Sequence, residues 1–296
     1  LKYVLVKGTE WFDGNYKHMI TDIDIIVNKY NENNCIKSIN NDIIISEKYS
    51  DKIEADIDIS YFENKNIICF LNGIYNLDTY EFKQCIKFPN NCLTTNINYI
   101  ETPTSEEYKK IAQLKEILFQ ILPIERVKNY ILTLLASFLN CNNKDNKLHI
   151  WTGGGGNGKS TLINLYNKTL GEYSYNILNN NKNLLKDFSI PFNKRLISLD
   201  NINIKKYISK IIKNTDFINH VYITNELPKI SSDDDETWLH IKVVEFISNF
   251  CDNPDPNKKY EFKNDIELKN KIDDYKESFM HILIEYYKNY KMNIRK

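Results

Sequence analysis

A glycine-rich stretch near the middle of the chain carries the side chains best suited to chemistry. Five of the nine glycines lie between Gly153 and Gly158, and a lysine and two hydroxyl residues follow. This spacing matches G-x-x-x-x-G-K-[ST], in which the backbone N–H groups of residues without bulky side chains surround a phosphate group. The residues predicted to bind a nucleotide are Gly153, Gly156, Asn157, Gly158, Lys159, Ser160 and Thr161.

The two residues after the last glycine have separate predicted roles. The ammonium of Lys159 would reach the β- and γ-phosphates, and the hydroxyl of Ser160 would be a ligand of Mg²⁺. A helix that begins near Lys159 would point the positive end of its dipole at the same anion. The alternative is a glycine-rich turn without a ligand, but the apolar run before the loop and the helical pattern after it favour the phosphate loop.

Two polar residues that follow apolar runs are predicted to complete this site. Asp200 follows residues 196–199, and Asn225 follows residues 221–224. Because ligands of parallel sheets lie beyond the carboxyl ends of the strands, we expect Asp200 to hold Mg²⁺ opposite Ser160, directly or through water. Asn225 would hydrogen-bond the γ-phosphate or the attacking water. The alternatives are a strand-end turn at Asp200 and an Asx turn at Asn225.

A lysine-rich amphipathic helix is predicted between these two strands, over residues 204–213. Its lysines either face solvent or contact the phosphates of a nucleic acid. The candidate nucleic-acid residues are Lys205, Lys206, Lys210 and Lys213.

The surrounding pattern predicts an α/β fold with a mostly parallel sheet. Four apolar runs, at 148–152, 196–199, 221–224 and 240–246, have the length of buried strands, and residues from 271 onward follow a helical period. Thr104 and Glu107 form a capping box before a helix that Pro123 ends, and a second helix follows. This helical hairpin belongs either to the core or to a collar between subunits.

The first hundred residues have a mixed pattern. It predicts a strand at 3–6, a turn at 8–14, a helix at 18–30, a strand at 67–71 and a tight turn or hairpin at 72–79. Nothing in this region requires a catalytic group.

Composition limits the function classes. The chain has no net charge, because 39 Lys and Arg residues balance 39 Asp and Glu residues. A nucleic-acid contact would therefore come from a local basic patch. The six cysteines contain no C-x-x-C pair, which predicts reduced thiols in an intracellular protein without a zinc site. No apolar run reaches 18 residues, so we expect no membrane partner. The chain begins with Leu, which indicates a fragment of a longer protein.

Taken together, these motifs resemble those of a superfamily 3 helicase, in particular the helicase half of the poxvirus-type primase–helicases of large DNA viruses. The segments that carry the resemblance cover most of the chain: residues 70–77 resemble NG-[VI]-Y-D-L, 149–162 the phosphate loop, 171–173 the LGDY segment, 194–196 the start of the second acidic motif, 223–228 the TN-x-x-P motif, and 238–246 the closing W-R-R…P-F strand.

The resemblance implies an AAA+-like ATPase that uses ATP and Mg²⁺, assembles as a hexameric ring and moves along single-stranded DNA. It implies four regions: 1–103, helicase-associated; 104–145, helical collar; 146–250, ATPase core; 251–296, C-terminal helical segment. A primase domain would precede Leu1, and other replication proteins would be partners. Such a protein would act at a viral replication site in the host cytoplasm or nucleus.

Departures from the family pattern leave hydrolysis open. Asn201 replaces an acidic residue that would act as a base, and His240 stands where the family has an arginine finger. Of the three arginines only Arg195 is near the predicted site in sequence, so we assign it a catalytic role beside Asp200 and Asn225. A second hypothesis is therefore a nucleotide-binding relative without efficient hydrolysis, as a scaffold or an eroded copy. A third is a phosphate-loop kinase, against which the TN-x-x-P motif argues.

Overall fold

The computed structural model describes residues 66–84, 92–140, 147–177, 194–200, 219–228 and 238–294, together with three short strands before residue 20. The chain divides into two compact units, residues 1–67 with 85–92 and residues 68–84 with 93–296. The candidate site lies in the second unit. The four regions predicted from the sequence stay a prediction.

The described strands of the first unit form an antiparallel sheet of the order β1-β2-β3. They are β1 (Val4–Val6), β2 (Glu10–Phe12) and β3 (Lys17–Met19). The first strand agrees with the prediction. The predicted turn at 8–14 is wrong at its centre, because Trp11 pairs with Leu5 on one side and His18 on the other. The predicted helix at 18–30 begins in β3, and the rest of it lies outside the described residues.

A small three-stranded sheet precedes the helical part of the second unit. Its strands are β4 (Ile67–Phe70), β5 (Gly73–Asn76) and β6 (Phe82–Gln84), in that order. Of the two alternatives predicted for residues 72–79, the hairpin is confirmed, because β5 pairs antiparallel with β6. The amide of Asn72 donates to the carbonyl oxygen of Tyr99 and accepts from its N–H. The NG motif thus shapes the connection between β4 and β5.

Two helices then form the predicted hairpin. In α1 (Ser105–Ile121), the N–H of Thr104 donates to the Glu107 carboxylate at 2.6 Å, and the Glu107 N–H donates to the Thr104 hydroxyl at 3.3 Å. The capping box is thus confirmed. Pro123 follows α1, and α2 (Glu125–Ser137) begins two residues later.

The main sheet has five parallel strands in the order β11-β7-β10-β9-β8. They are β7 (Leu148–Thr152), β8 (Ser174–Ile177), β9 (Leu196–Asp200), β10 (Asn219–Ile223) and β11 (Ile241–Glu245). The four predicted strands are confirmed, and so is the α/β class. The pattern missed β8, an edge strand in which only Ile177 is buried.

The remaining elements pack around this sheet. α3 (Lys159–Leu170) follows β7, and a 3-10 turn (Gly171–Tyr173) leads into β8. After β11, β12 (Asn249–Cys251) pairs with β13 (Glu261–Lys263). α4 (Leu268–Lys271), a 3-10 turn (Ile272–Tyr275) and α5 (Lys276–Ile294) end the described chain. The core joins buried side chains of α1, α2, α3 and α5 to the sheet, and none of the described helices is long and apolar enough to cross a membrane.

The strand order determines what meets at the carboxyl edge of the sheet. β10 lies between β7, which leads into the glycine-rich loop, and β9, which ends at Asp200. Residues that follow β10 therefore lie between the loop and Asp200. This is the arrangement that the predicted roles of Asp200 and Asn225 require.

A buried histidine in β7 makes the stability of the fold depend on pH. His149 is 3% exposed, its ring lies 5.6 Å from that of Phe138, and its Nδ1 has no hydrogen-bond partner among the described residues. Burial, with a smaller contribution from Lys242, lowers the pKa of His149 to about 4. The neutral imidazole is thus the folded form.

We expect this histidine to destabilise the fold as the pH falls from about 6.5 to about 4. In that range the unfolded chain, whose histidines titrate near pH ~6.5, binds a proton that folded His149 does not, so the free energy of unfolding falls by about 3 kcal/mol in total. His149→Phe should remove that part of the slope. Urea unfolding of both proteins at pH 7 and pH 4.5 measures it, and an equal loss of stability in both would contradict the assignment.

Candidate nucleotide site

The glycine-rich loop joins the end of β7 to the start of α3. Gly153 and Gly158 both have positive φ angles, +130° and +85°. A Cβ atom at Gly153 would lie 2.4 Å from the carbonyl oxygen of Phe246, and one at Gly158 would lie 2.8 Å from Ile121. Glycine is therefore required at both ends of the loop by conformation and by close packing.

Residues 246–250, here called the 246–250 segment, lie against the outside of this loop. The N–H of Phe246 donates to the carbonyl oxygen of Thr152 at 2.8 Å, and the N–H of Phe250 donates to that of Gly156 at 2.7 Å. The hydroxyl of Ser248 donates to the last turn of α1. The loop is thus held in shape by main-chain bonds from a distant part of the sequence.

Lys159 has its ammonium inside the loop. Its Nζ donates to the carbonyl oxygens of Gly153 and Gly154 at 2.8 and 3.1 Å, to Oδ1 of Asn157 at 2.9 Å and to Oδ1 of Asn225 at 3.4 Å. Burial lowers the pKa of Lys159, and the Asp200 carboxylate raises it by a smaller amount. A cation that is desolvated and surrounded by neutral dipoles is suited to bind an anion such as phosphate.

Ser160 and Asp200 face each other across the carboxyl edge of the sheet. Burial raises the pKa of Asp200, while Lys159 and a hydrogen bond with Ser160 lower it by smaller amounts. One carboxylate oxygen of Asp200 is buried and has no hydrogen-bond partner among the described residues. A buried oxygen acceptor beside a hydroxyl is the donor set that Mg²⁺ accepts, with phosphate oxygens and water as further ligands. The two residues therefore fit the metal role predicted for them.

No group of three or more His, Cys, Asp or Glu side chains in the described ranges is arranged to hold a metal ion by itself. A cation at Ser160 and Asp200 would thus depend on ligands from a bound nucleotide, which is usual for Mg²⁺.

Asn225 follows β10, and its Oδ1 accepts from Lys159 Nζ at 3.4 Å. The Asx turn considered as an alternative is replaced by a turn at Thr224, whose hydroxyl donates to the carbonyl oxygen of Glu226 at 2.7 Å and accepts from its N–H at 3.3 Å. Thr224 therefore shapes the turn, and the amide of Asn225 points to the loop.

Arg195 is the described candidate that the structure does not bring to the loop. It precedes β9, whereas Asp200 ends it, so the two backbones lie roughly 16 Å apart at about 3.3 Å per residue. Arg195 is 2% exposed, its guanidinium lies 4.4 Å from the centre of the Tyr173 ring, and it donates to the carbonyl oxygen of Leu139. Its predicted catalytic role is corrected accordingly: Arg195 holds β9 against the core.

Other predicted residues lie at a distance from the loop or outside the described ranges. His240 precedes β11, whose first residue pairs with Leu148 at the start of β7, so it lies at the opposite edge of the sheet from the loop. Lys242 pairs with His149 near the same edge. Asn201 and the four candidate nucleic-acid lysines, Lys205, Lys206, Lys210 and Lys213, lie outside the described residues.

The 246–250 segment was not predicted as part of the site. It contributes main-chain groups of Phe246 and Phe250, and main-chain donors carry no residue-type signal. The closing motif was the available clue, since it ends at Phe246, but its letters do not indicate a contact with the loop.

Comparison with known proteins gives distant viral relatives. No protein-family model matches the chain. The helicase-named protein L207/L206 of Acanthamoeba polyphaga mimivirus is 30% identical over 270 residues, which cover 77% of this chain and 27% of that protein. The helicase-named protein 184R of Invertebrate iridescent virus 6 is 26% identical over 238 residues, covering 69% and 24%. The chain thus spans about a quarter of the length of these relatives.

Among solved structures, the C-terminal region of NrS-1 aligns with a TM-score of 0.43 and 17% identity over 70% of this chain and 50% of that one.

Proposed function

From the premise that this chain is a superfamily 3 helicase relative from the lineage of the large DNA viruses, we propose that it binds Mg·ATP at its glycine-rich loop and uses ATP to move along single-stranded DNA as a ring. The observation that supports this best is the meeting of three groups at one edge of the sheet. They are the buried ammonium of Lys159, the hydroxyl of Ser160 and the carboxylate of Asp200.

Each residue has a role in this proposal. Lys159 binds the β- and γ-phosphates, and Ser160 and Asp200 hold the magnesium. Asn225, whose Oδ1 lies 3.4 Å from Lys159 Nζ, hydrogen-bonds the γ-phosphate or the attacking water. The bound magnesium would supply positive charge against the phosphate oxygens. The backbone N–H groups of the loop, at the start of α3, add the positive end of a helix dipole.

The partners follow from the premise. We propose single-stranded DNA as the nucleic acid, contacted by Lys205, Lys206, Lys210 and Lys213, a hexameric ring of this chain, and an upstream primase domain or other replication proteins. The place of action would be the viral replication site in the host cytoplasm or nucleus.

A second candidate function is nucleotide binding without efficient turnover. The position of Arg195 favours it, because this arginine lies buried at the other end of β9. An arginine that stabilises transferred charge contributes roughly 10³ to 10⁵ in rate to other phosphoryl-transfer enzymes. The residues proposed to bind phosphate meet at one edge of the sheet, whereas His240 stands where the resemblance implies an arginine finger.

One set of assays separates the two candidates. Mg·ATP binding is measured by calorimetry, and ATP turnover is measured with and without single-stranded DNA, for the wild-type protein and Lys159→Met. Turnover that DNA stimulates, above the level of the variant, supports the motor. Binding without turnover above the variant supports the second candidate, and no binding by the wild type contradicts both.

The metal role of Asp200 has a separate test. Asp200→Asn should raise the Mg²⁺ concentration needed for half-maximal nucleotide binding by about 10- to 100-fold, because it removes the negative charge from a metal-binding group. Since burial raises the pKa of Asp200, the neutral amide should leave the melting temperature unchanged or higher. Titration of Mg²⁺ at fixed ATP measures the first effect and thermal unfolding the second.

Asp273→Asn, an exposed aspartate that pairs with Lys168, is the control and should leave the Mg²⁺ requirement unchanged. An equal Mg²⁺ requirement in Asp200→Asn and the wild type would remove Asp200 from the metal site.

A further inference from the structure

The side chain of Asn157 connects the phosphate loop to the end of β11. Its Nδ2 donates to the carbonyl oxygen of Phe246 at 3.1 Å, and its Oδ1 accepts from Lys159 Nζ at 2.9 Å. Asn157 and Lys159 are each 3% exposed. The reverse amide orientation would place an N–H₂ group against the ammonium and an oxygen against the carbonyl, so chemistry fixes this orientation.

Phe246, whose carbonyl oxygen accepts from Asn157, is held rigidly in the fold. The N–H of Phe246 donates to the carbonyl oxygen of Thr152 at 2.8 Å, which continues the pairing of β11 with β7. The Phe246 ring lies 5.2 Å from that of Trp151 in the buried core. The amide of Asn157 is therefore fixed relative to the main sheet, and its oxygen offers Lys159 an acceptor at a fixed position.

At the other end of this connection, the ammonium of Lys159 has more hydrogen-bond acceptors around it than it has protons to donate. An ammonium has three protons, and four oxygens lie within 3.4 Å of Lys159 Nζ. A phosphate oxygen that binds Lys159 must replace a protein partner. Asn225 Oδ1, at 3.4 Å on an exposed residue, is the most distant of them, while Asn157 Oδ1 is held in place by Phe246.

We propose that Asn157 is a positioning residue that acts on the bound phosphate through Lys159. Its side-chain oxygen holds the ammonium of Lys159 at the point where the β- and γ-phosphates bind. Its N–H₂ group is held in turn by the carbonyl oxygen of Phe246, directly after β11. This inference rests on the proposed nucleotide site and assigns Asn157 a role there that is distinct from direct contact with the phosphate.

A double-mutant cycle tests this role. Asn157→Ala should weaken Mg·ATP binding about ten-fold in the otherwise wild-type protein, because the lysine loses its fixed acceptor. In a Lys159→Met background the same change should weaken binding by less than about two-fold, because there is no ammonium left to position. Calorimetry at millimolar nucleotide reaches the weak affinities. Asn164→Ala, an exposed asparagine of α3, is the matched control and should bind as the wild type does.

The same four proteins are compared without nucleotide by urea unfolding. Asn157→Ala should cost less stability in the Lys159→Met background than in the wild type, because only the ammonium depends on the lost acceptor. Nucleotide binding by the wild type with equal losses in both backgrounds would overturn the inference alone. A different outcome would overturn the proposed function, and with it the nucleotide role of Asn157. In that outcome the wild type binds no nucleotide, although Asn157→Ala costs less stability in the Lys159→Met background than in the wild type.

Discussion

Lys159→Met should weaken Mg·ATP binding by more than about 100-fold, equivalent to about 2.7 kcal/mol. The substitution removes a buried cation while keeping a side chain of similar length. Charge-assisted hydrogen bonds to two phosphates would be lost, and each contributes about 1.5 to 3 kcal/mol. Calorimetric titration of both proteins at equal Mg²⁺ concentration measures the change.

The same substitution should leave the fold almost as stable as before. Lys159 is 3% exposed, so its charge is largely desolvated in the folded protein, and this burial lowers its pKa. The lost bonds to loop carbonyls are therefore offset by the removal of that penalty, and the free energy of unfolding should change by less than about 1 kcal/mol. If Lys159→Met were largely unfolded, its loss of nucleotide binding would not report on the lysine, and this prediction of near-equal stability would be wrong.

Lys168→Met is the matched control on the same helix. Lys168 is partly exposed and pairs with Asp273 at 2.8 Å. Its removal should leave nucleotide affinity within about two-fold of the wild type, because a surface ion pair contributes at most about 1 kcal/mol and lies away from the loop. Equal affinity of wild type and Lys159→Met, with this control also unchanged, would mean that the loop does not bind phosphate through Lys159.

The parts of the fold that the sequence predicted are those in which burial dominates. β7 and β10 are buried along their whole length, so their residues form the apolar runs that mark strands. The capping box at Thr104 was predictable because it depends on two side chains three residues apart. β8 was missed because an edge strand with one buried residue has no such run. The resemblance to viral superfamily 3 helicases was also predictable, and the helicase-named viral relatives confirm it.

The residues of the candidate site were predictable where a motif or a strand end marks them. They were less predictable where their place depends on how the chain runs in three dimensions. Lys159 and Ser160 are adjacent in a motif. Asp200 ends β9 and Asn225 lies two residues after β10, so parallel pairing brings them together. Arg195 was misplaced because nearness to Asp200 in sequence was taken as nearness in space, although an extended strand separates them. The Phe246 carbonyl had no signal, because any residue supplies one.

Gly153→Ala should lower the free energy of unfolding by about 4 kcal/mol, because the Phe246 carbonyl leaves no room for a side chain at this position. Two costs add. Gly153 has φ of +130°, a conformation that costs an L-residue about 1 to 3 kcal/mol. The added Cβ would also lie 2.4 Å from the Phe246 carbonyl oxygen and 2.7 Å from Asn157 Nδ2. Neither atom can yield without breaking a bond that holds the loop to β11.

Gly154 and Gly155 are the matched controls for this prediction, because they differ from Gly153 in surroundings and conformation. A Cβ at either position meets no atom within 4 Å, and neither has a positive φ. Gly154→Ala and Gly155→Ala should therefore unfold in urea within about 1 kcal/mol of the wild type. Equal losses in all three variants would mean that the 246–250 segment does not press on the loop. A loss confined to Gly153→Ala would show that this main-chain contact, and not glycine content alone, sets the shape of the glycine-rich loop.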